Sequence, residues 1–186
     1  MNIQPENRVF HFKKHNSLDS FVRKIFQNPK KILGKYVKEC MTVMDFGCGP
    51  GFFTLEIAKL VGKNGKVIAV DFQQEMLDII KKKISGNIIE KIIVLHKSSA
   101  TDIGVSEKVD MVIAFYVIHE LDNTKKFLSD IRHMLKKDAI LFIAEPNFKI
   151  SESEFKELVR KANTIGFSTI EYPRIFLSRC VVFKNG

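Results

Sequence analysis

Apolar and polar positions follow two different periods along this chain. Short, nearly continuous apolar runs, such as 109–115 and 140–144, are typical of buried strands. They alternate with longer segments in which apolar residues recur every three or four positions, which is typical of amphipathic helices. The pattern predicts strands at 42–46, 66–71, 91–96, 109–114 and 139–144, and helices at 52–61, 74–84 and 122–136. The helix expected between the third and fourth strands is missing, at 98–108.

The last third of the chain predicts one more helix and two more strands. Ser151 and Glu154 have the spacing of a capping box, so a helix is expected to begin after Ser151. It runs to about Asn163, and Gly166 ends it. Short strands follow near 168–172 and 178–183.

Two helices are predicted before the first strand. Apolar residues recur at helical spacing over 17–27, and Asn28 followed by Pro29 is typical of a second helix start that leads to about residue 38. No linker separates these helices from the rest of the chain. We expect one domain over residues 1–186, in which residues 1–38 form a helical cap or lid.

This alternation of strands and helices predicts an α/β fold. A chain of 186 residues suits a single domain, and strands that are apolar throughout predict a parallel sheet covered by helices on both faces. Ligands of such doubly wound sheets bind outside the carboxyl ends of the strands, where the strand order reverses. Functional residues are therefore expected at the strand ends.

A glycine-rich turn follows the first predicted strand. Asp45 ends that strand, and Gly47, Gly49 and Gly51 let the backbone turn sharply and approach a ligand closely. The second strand ends at Asp71, where a carboxylate commonly holds two ribose hydroxyls. The two motifs together predict a site for a nucleoside cofactor.

The spacing of the glycines bears on which cofactor is bound. A dinucleotide fingerprint that began at Gly47 would place Gly or Ala at position 52, where this chain has Phe52. The stretch instead resembles the first motif of class I S-adenosylmethionine-dependent methyltransferases, D-x-G-x-G-x-G. The resemblance covers roughly residues 28–183 and is closest to small methyltransferase-domain proteins.

The resemblance implies a seven-stranded, mostly parallel sheet with an antiparallel closing strand, and S-adenosyl-L-methionine as the cofactor. In this family the first-motif acid, here Asp45, helps to position the cofactor's amino group, while the acid and apolar residue after the second strand hold the ribose and the adenine. The acid that usually meets the adenine after strand three is replaced by Ser99, so either Ser99 or Asp102 is expected to make that contact. The cofactor-binding residues implied are Asp45, Gly47, Cys48, Gly49, Gly51, Asp71, Phe72, Ser99, Ala100 and Phe115.

Methyl transfer from a sulfonium is an in-line displacement that depends mainly on positioning the acceptor. A general base is needed only where the acceptor must lose a proton. The resemblance places the segment after the fourth strand, 114–121, near the acceptor, and His119 is its best candidate for a catalytic base. The same residue equally suits a hydrogen-bonding role at a helix start. Tyr116 and the pair Glu145-Pro146 are candidates for the acceptor pocket or for packing.

Charge is distributed unevenly along the chain. The net charge is +9, residues 1–40 carry nine Lys/Arg against three Asp/Glu, and residues 173–186 carry three Arg/Lys and no acid. The middle of the chain is balanced. Basic termini favour an anionic small molecule or nucleic acid, although a generally basic proteome would produce the same excess.

Other classes of site receive little support. The three cysteines are unclustered, which predicts neither a disulfide framework nor a metal site, and Cys48 is interpreted as a small turn residue. His11 and His15 have no third ligand nearby, so no metal is expected. With no apolar run long enough to span a bilayer and no secretory signal, we expect a cytoplasmic protein that does not bind membranes.

Three functions remain open at this point. The first is a methyltransferase acting on a small, anionic or partly aromatic molecule, and the second is an RNA methyltransferase that uses the basic termini. The third is a non-catalytic S-adenosylmethionine-binding module, because no decisive acceptor motif is present. A dehydrogenase is a minor alternative.

Overall fold

The structure is a computed structural model that describes residues 27–186. Its five α-helices are α1 (Pro29–Leu33), α2 (Thr54–Val61), α3 (Gln74–Ile84), α4 (Thr124–Met134) and α5 (Glu152–Ile165). Its seven strands are β1 (Thr42–Phe46), β2 (Lys66–Asp71), β3 (Ile93–Lys97), β4 (Val109–Phe115), β5 (Leu135–Pro146), β6 (Phe167–Glu171) and β7 (Ser178–Asn185). Short 3₁₀ helices cover Ile88–Lys91 and Ile118–Glu120.

All seven strands form one sheet in the order β3-β2-β1-β4-β5-β7-β6. Strands β1 to β5 are parallel, and β7 lies antiparallel between β5 and β6. The order reverses between β1 and β4, so the carboxyl ends of these two strands flank the expected binding crevice. The predicted doubly wound, mostly parallel sheet with an antiparallel closing strand is confirmed.

The predicted elements agree with the structure to within a few residues, apart from two. The strand predicted at 139–144 is longer, since β5 begins at Leu135 and ends at Pro146. The helix predicted to reach residue 38 ends at Leu33, and a turn follows. No helix occurs at 98–108, as expected.

Local capping signals explain several helix ends. The Asn28 side chain accepts a hydrogen bond from the Lys31 N–H, with Pro29 in the first turn. Ser151 and Glu154 form the reciprocal capping box, and Gly166 ends α5 in the left-handed conformation at φ 109°. These contacts satisfy backbone groups that a helix end otherwise leaves without partners.

Two apolar clusters cover the two faces of the sheet. The segment after α1 belongs to one of them, because Leu33, Tyr36 and Val37 are buried there together with Phe142 of β5. The predicted helix at 17–27, apart from its last residue, and the histidines at 11 and 15 lie outside the described residues. The assignment of residues 1–38 to a lid stays a prediction.

Candidate functional site

The glycine turn after β1 is shaped by packing at two of its three glycines. Gly47, Gly49 and Gly51 have φ of +70°, +50° and +88°, which side-chain-bearing residues rarely adopt. A Cβ on Gly47 would lie 2.5 Å from Val117 Cγ2, and one on Gly51 would lie 2.9 Å from Ile80 Cγ1. A Cβ on Gly49 would meet nothing within 4 Å. The turn is therefore closed on its protein side and open at Gly49.

The last two residues of β2 hold this turn in place through one carbonyl and one carboxylate. The N–H groups of Gly47 and Cys48 both donate to the Val70 carbonyl, at 2.9 and 3.0 Å. The Gly49 N–H donates to Asp71 Oδ2 at 2.8 Å. The glycine turn and the acid at the end of β2, which are separate motifs in the sequence, are thus one hydrogen-bonded unit.

Asp71 is nearly buried at the end of β2, with 9% of its surface exposed. Its Oδ1 accepts a hydrogen bond from the Gln73 N–H at 2.9 Å. Burial raises the pKa of this carboxyl, and backbone hydrogen bonds from Gln73, Gly49 and Phe72 oppose that shift. The neighbouring Phe72 ring is 51% exposed, which is unusual for so large an apolar side chain. A carboxylate and an open ring face therefore adjoin the turn.

Asp45 and Cys48 are buried behind the turn. The Thr54 hydroxyl donates to Asp45 Oδ2 at 2.6 Å, which joins the end of β1 to the first residue of α2. Burial is the main cause that raises the pKa of the Cys48 thiol, with Asp45 and Asp71 adding to it. Cys48 is therefore a protonated, packed turn residue, in agreement with its interpretation from sequence.

The loop after β3 is organised by its own side chains. Ser99 Oγ accepts hydrogen bonds from the N–H groups of Asp102 at 2.9 Å and Thr101 at 3.3 Å. Asp102 Oδ1 accepts from the Gly104 N–H at 2.9 Å. Ser99 and Ala100 are exposed, whereas Ser98 is buried and donates its N–H to the Asp71 carbonyl at 3.0 Å. The loop is thereby tied to the end of β2.

The end of β4 carries two aromatic residues in different settings. Phe115 is buried, and its ring lies 4.3 Å from that of Phe53 and 4.5 Å from that of Tyr116. Tyr116 has φ +63°, a left-handed conformation that is uncommon for a bulky residue. Its hydroxyl contacts Ser178 Oγ at 2.5 Å and accepts a hydrogen bond from the Gln27 side chain. Backbone strain of this kind clusters at functional sites.

His119 and Glu145 form a directly bonded pair next to this point. Glu145, at the end of β5, has a fully buried side chain, and its Oε2 lies 2.5 Å from His119 Nδ1. Its Oε1 accepts from the N–H groups of Ile118 at 2.8 Å and Val117 at 3.1 Å. One buried carboxylate therefore fixes both the 3₁₀ turn after β4 and the orientation of the imidazole.

This pairing determines which imidazole nitrogen is available. A carboxylate only accepts hydrogen bonds, so Nδ1 carries a proton and neutral His119 presents the lone pair of Nε2. The hydrogen bond that His119 donates to Glu145 is the main cause that raises the pKa of His119, against the effect of burial. Glu120 Oε1 lies 3.9 Å from Nε2, and burial raises the pKa of this carboxyl. The arrangement suits a general base that is held in one orientation.

The site provides the groups that a nucleoside cofactor requires. Three features adjoin one another beside the point where the strand order reverses: the open space at Gly49, the Asp71 carboxylate and the exposed Phe72 ring. Within residues 27–186, no group of three or more His, Cys, Asp or Glu side chains is arranged to hold a metal ion. In the same part of the chain, no helix has the length and apolar character needed to cross a membrane.

Fold and site together define the class of S-adenosylmethionine-dependent methyltransferases. The crystal structure of a SAM-dependent methyltransferase from Aquifex aeolicus superposes with a TM-score of 0.81 at 25% sequence identity, over 100% of both chains. Residues 37–176 match the family model described as a methyltransferase domain. The chain therefore belongs to the methyltransferase domain family.

Two curated relatives show the range of proteins that resemble this chain. It is 32% identical over 137 residues to a demethylmenaquinone methyltransferase from Lactobacillus johnsonii, covering 69% of this chain and 56% of that protein. It is 28% identical over 141 residues to a ribosomal protein L11 methyltransferase from Dictyoglomus turgidum, covering 76% of this chain and 43% of that protein. The chain spans about half the length of these relatives.

Two functional features were missed in the sequence. Glu145 was interpreted only as a pocket or strand-end residue, but it is the partner of His119. The hydrogen bond between Gly49 and Asp71 was not foreseen either. An acid directly after the apolar run 139–144 was the available signal for Glu145, but its partner depends on the register between β4 and β5, in which Phe115 pairs with Ala144.

Proposed function

We propose that this protein transfers the methyl group of S-adenosylmethionine to a small-molecule acceptor, with His119 as the general base. The observation that carries the proposal is the 2.5 Å contact between His119 Nδ1 and the buried Glu145 carboxylate at the carboxyl ends of β4 and β5. A buried carboxylate that orients an imidazole is a recurrent arrangement for proton transfer. Glu145 acts as a positioning residue in this scheme.

The cofactor supplies a methyl group bound to a positively charged sulfur. We assign its ribose hydroxyls to the Asp71 carboxylate and its adenine to the Phe72 face, with Ser99 and Ala100 at the neighbouring loop. Gly47, Cys48, Gly49 and Gly51 provide the turn on which the methionine part rests, and Asp45 and Phe115 support it from the buried side. The open space at Gly49 and the nearly buried carboxylate of Asp71 support this assignment.

The chemistry assigned to His119 is removal of one proton from the acceptor. Nε2 takes the proton, and the Glu145 carboxylate stabilises the positive charge that develops on the ring. Bond formation between the acceptor atom and the methyl carbon accompanies loss of the bond from that carbon to sulfur. A positioned base of this kind contributes about 10²–10⁴-fold to a rate.

A small acceptor is favoured over RNA by the state of the basic residues at the carboxyl terminus. Lys184 forms an ion pair with Asp138 at 2.7 Å, and Arg179 donates Nε to the Ile150 carbonyl at 3.2 Å. Two of the three cations in residues 173–186 are therefore used within the protein. The demethylmenaquinone methyltransferase among the relatives acts, by its name, on a small molecule, which agrees with this proposal.

The test is transfer of radiolabelled methyl groups from S-adenosylmethionine to a cell extract separated into small molecules, RNA and protein. We expect label in the small-molecule fraction, and much less of it with His119→Ala. Label in RNA, with binding that weakens steeply as salt rises, would instead support an RNA methyltransferase. Label in the protein fraction alone would also contradict the proposal.

A further inference from the structure

A pocket of about 370 Å³ lies outside the arrangement described so far. It is formed between α1 and the loop that connects β6 to β7, residues 172–177. We call it the α1 pocket. Lys31, Lys35 and Arg174 contribute cations to its lining, and Glu171 contributes one carboxylate. The lining of the pocket therefore carries more positive than negative charge.

One cation and the carboxylate neutralise each other. Lys35 Nζ lies 2.7 Å from Glu171 Oε2, and the Tyr36 hydroxyl donates to Glu171 Oε1 at 2.8 Å. These hydrogen bonds lower the pKa of Glu171, with Lys35 as the larger cause, so this carboxyl is ionised at neutral pH. Lys31 and Arg174 form no ion pair within residues 27–186. Two positive charges therefore remain for a ligand.

Apolar side chains line the same pocket. Ile32 and Ile175 pack against the buried core on their inner side, and the Phe176 ring is 56% exposed. Arginine and lysine beside apolar surface favour an organic anion over a bare ion, because the apolar body of the ligand leaves water while its charge stays paired.

The α1 pocket is connected to the carboxyl end of β4. Strand β6 runs in the same direction as β1 to β5. Glu171 and the following loop therefore lie on the side of the sheet where the parallel strands have their carboxyl ends, which also holds the candidate site. Ser178, where this loop ends, and Gln27, which precedes α1, both bond to the Tyr116 hydroxyl. The residues that flank α1 and the 172–177 loop are thus both bonded to Tyr116.

We propose that the α1 pocket binds a small organic anion with an apolar or aromatic body, held by Lys31 and Arg174 against Ile32 and Ile175. Carboxylate and phosphate groups share the chemistry that these cations recognise. The ligand is either the methyl acceptor itself, in which case the inference rests on the proposed function, or a separate effector.

Phenyl phosphate is a suitable probe, titrated into the full-length protein labelled at isoleucine methyl groups. We expect the resonances of Ile32 and Ile175 to shift, while Ile68 and Ile113, buried in the sheet, do not. Inorganic phosphate should bind more weakly, since it lacks the ring. A positively charged probe, phenyltrimethylammonium, should not bind there.

A pair of double variants tests the role of the cations. Lys31→Met/Arg174→Met should weaken phenyl phosphate binding at least about tenfold. The matched control, Lys63→Met/Lys137→Met, removes the same charge from exposed positions at the opposite edge of the sheet and should keep the affinity. Equal weakening in both variants, or shifts that spare Ile32 and Ile175, would overturn the inference.

Methyl-transfer kinetics distinguish an acceptor from an effector in the α1 pocket. The substrate is the small-molecule fraction of the cell extract that accepts the labelled methyl group. If the occupant is the acceptor, phenyl phosphate competes with that fraction, and Lys31→Met/Arg174→Met raises the acceptor KM without changing the KM for S-adenosylmethionine. If the occupant is an effector, phenyl phosphate binds without competing. The titration itself involves no methyl transfer, so it remains decisive if the proposed function fails.

Discussion

The two halves of the candidate site are constructed differently. The half at the ends of β1 and β2 is built largely from backbone groups, because the turn at 47–51 is held by the Val70 carbonyl and by Asp71 through N–H donors. The half at the ends of β4 and β5 depends on side chains, chiefly Glu145, His119 and Tyr116. A turn built from backbone groups suits a ligand that is the same throughout a family, such as the cofactor. Side chains can differ from one family member to another, as the acceptors do.

The backbone strain of the two halves differs in the same way. Positive φ values in the first half fall on glycines, where they cost little, but in the second half one falls on Tyr116. Both halves bury a carboxylate, Asp45 in the first and Glu145 in the second, but only Glu145 is bonded to an imidazole. We infer that the β4–β5 half trades stability for specific chemistry. Substitutions in each half test this contrast.

The largest effect is expected at His119. His119→Ala removes the proposed base and should lower kcat about 10²–10⁴-fold for an acceptor that must lose a proton, with little change in the affinity for S-adenosylmethionine. His119→Asn keeps a donor near the position of Nδ1, so the hydrogen bond to Glu145 can form without a base. Single-turnover rates should be low for both variants. Recovery of activity by Asn would mean that His119 is only structural.

A large loss of stability is expected from Gly47→Ala in the other half. The new Cβ would lie 2.5 Å from Val117 Cγ2, at a φ of +70°. Overpacking and the left-handed conformation together should reduce the free energy of unfolding by about 2–5 kcal/mol. Gly49→Ala is the matched control, with open space around it, and should cost about 1–2 kcal/mol from conformation alone.

Denaturant titration of these variants measures the difference. Adding Val117→Gly to Gly47→Ala removes the clashing side chain, so the double-mutant cycle should show a favourable coupling between the two positions. Equal losses for Gly47→Ala and Gly49→Ala would show that conformation, and not the contact with Val117, determines the cost.

The same contrast explains what the sequence could predict. The glycine turn, the acid at the end of β2 and the strand ends were located correctly, because they follow from local rules: φ requirements, apolar runs and caps such as Ser151–Glu154. The parallel sheet covered by helices on both faces followed from the alternation of elements, whereas its antiparallel closing strand was implied by the family resemblance. Neighbouring residues carry this information.

The partners of the second half depend on long-range register. His119 and Glu145 are 26 residues apart, and they meet only because β4 and β5 pair with Phe115 opposite Ala144. The α1 pocket likewise joins Lys31 to Arg174 through the packing of α1 beside the β6–β7 loop. A side chain's own sequence neighbourhood contains no information about such contacts.

A smaller effect is expected at Asp71. Asp71→Ala should weaken binding of S-adenosylmethionine by about 1.5–3 kcal/mol, the usual value for hydrogen bonds to a charged group. It should also increase hydrogen exchange at the Gly49 amide, which loses its acceptor. Asp78→Ala, which removes an exposed carboxylate on α3, is the control. Unchanged calorimetric affinity in Asp71→Ala would contradict the assigned ribose contact.

The smallest effect is a shift in the pH dependence of the reaction. Because Glu145 raises the pKa of His119 above its ordinary 6.5, the rate should rise with pH through a midpoint above that value, as His119 loses its proton. The sign for stability is opposite: the pairing stabilises the fold fully below 6.5, and this contribution is lost as pH rises through the raised pKa.

Glu145→Gln should move the kinetic midpoint to lower pH and also lower the plateau. The amide oxygen of the substituted side chain would accept from Val117 and Ile118 as before, so its NH₂ would face Nδ1 and place the remaining ring proton on Nε2. Glu120→Gln should move the midpoint in the same direction but less, since Glu120 acts on His119 only through its charge, 3.9 Å from Nε2. A larger shift for Glu120→Gln than for Glu145→Gln would show that the carboxylate beside Nε2, and not the buried one at the end of β5, controls the base.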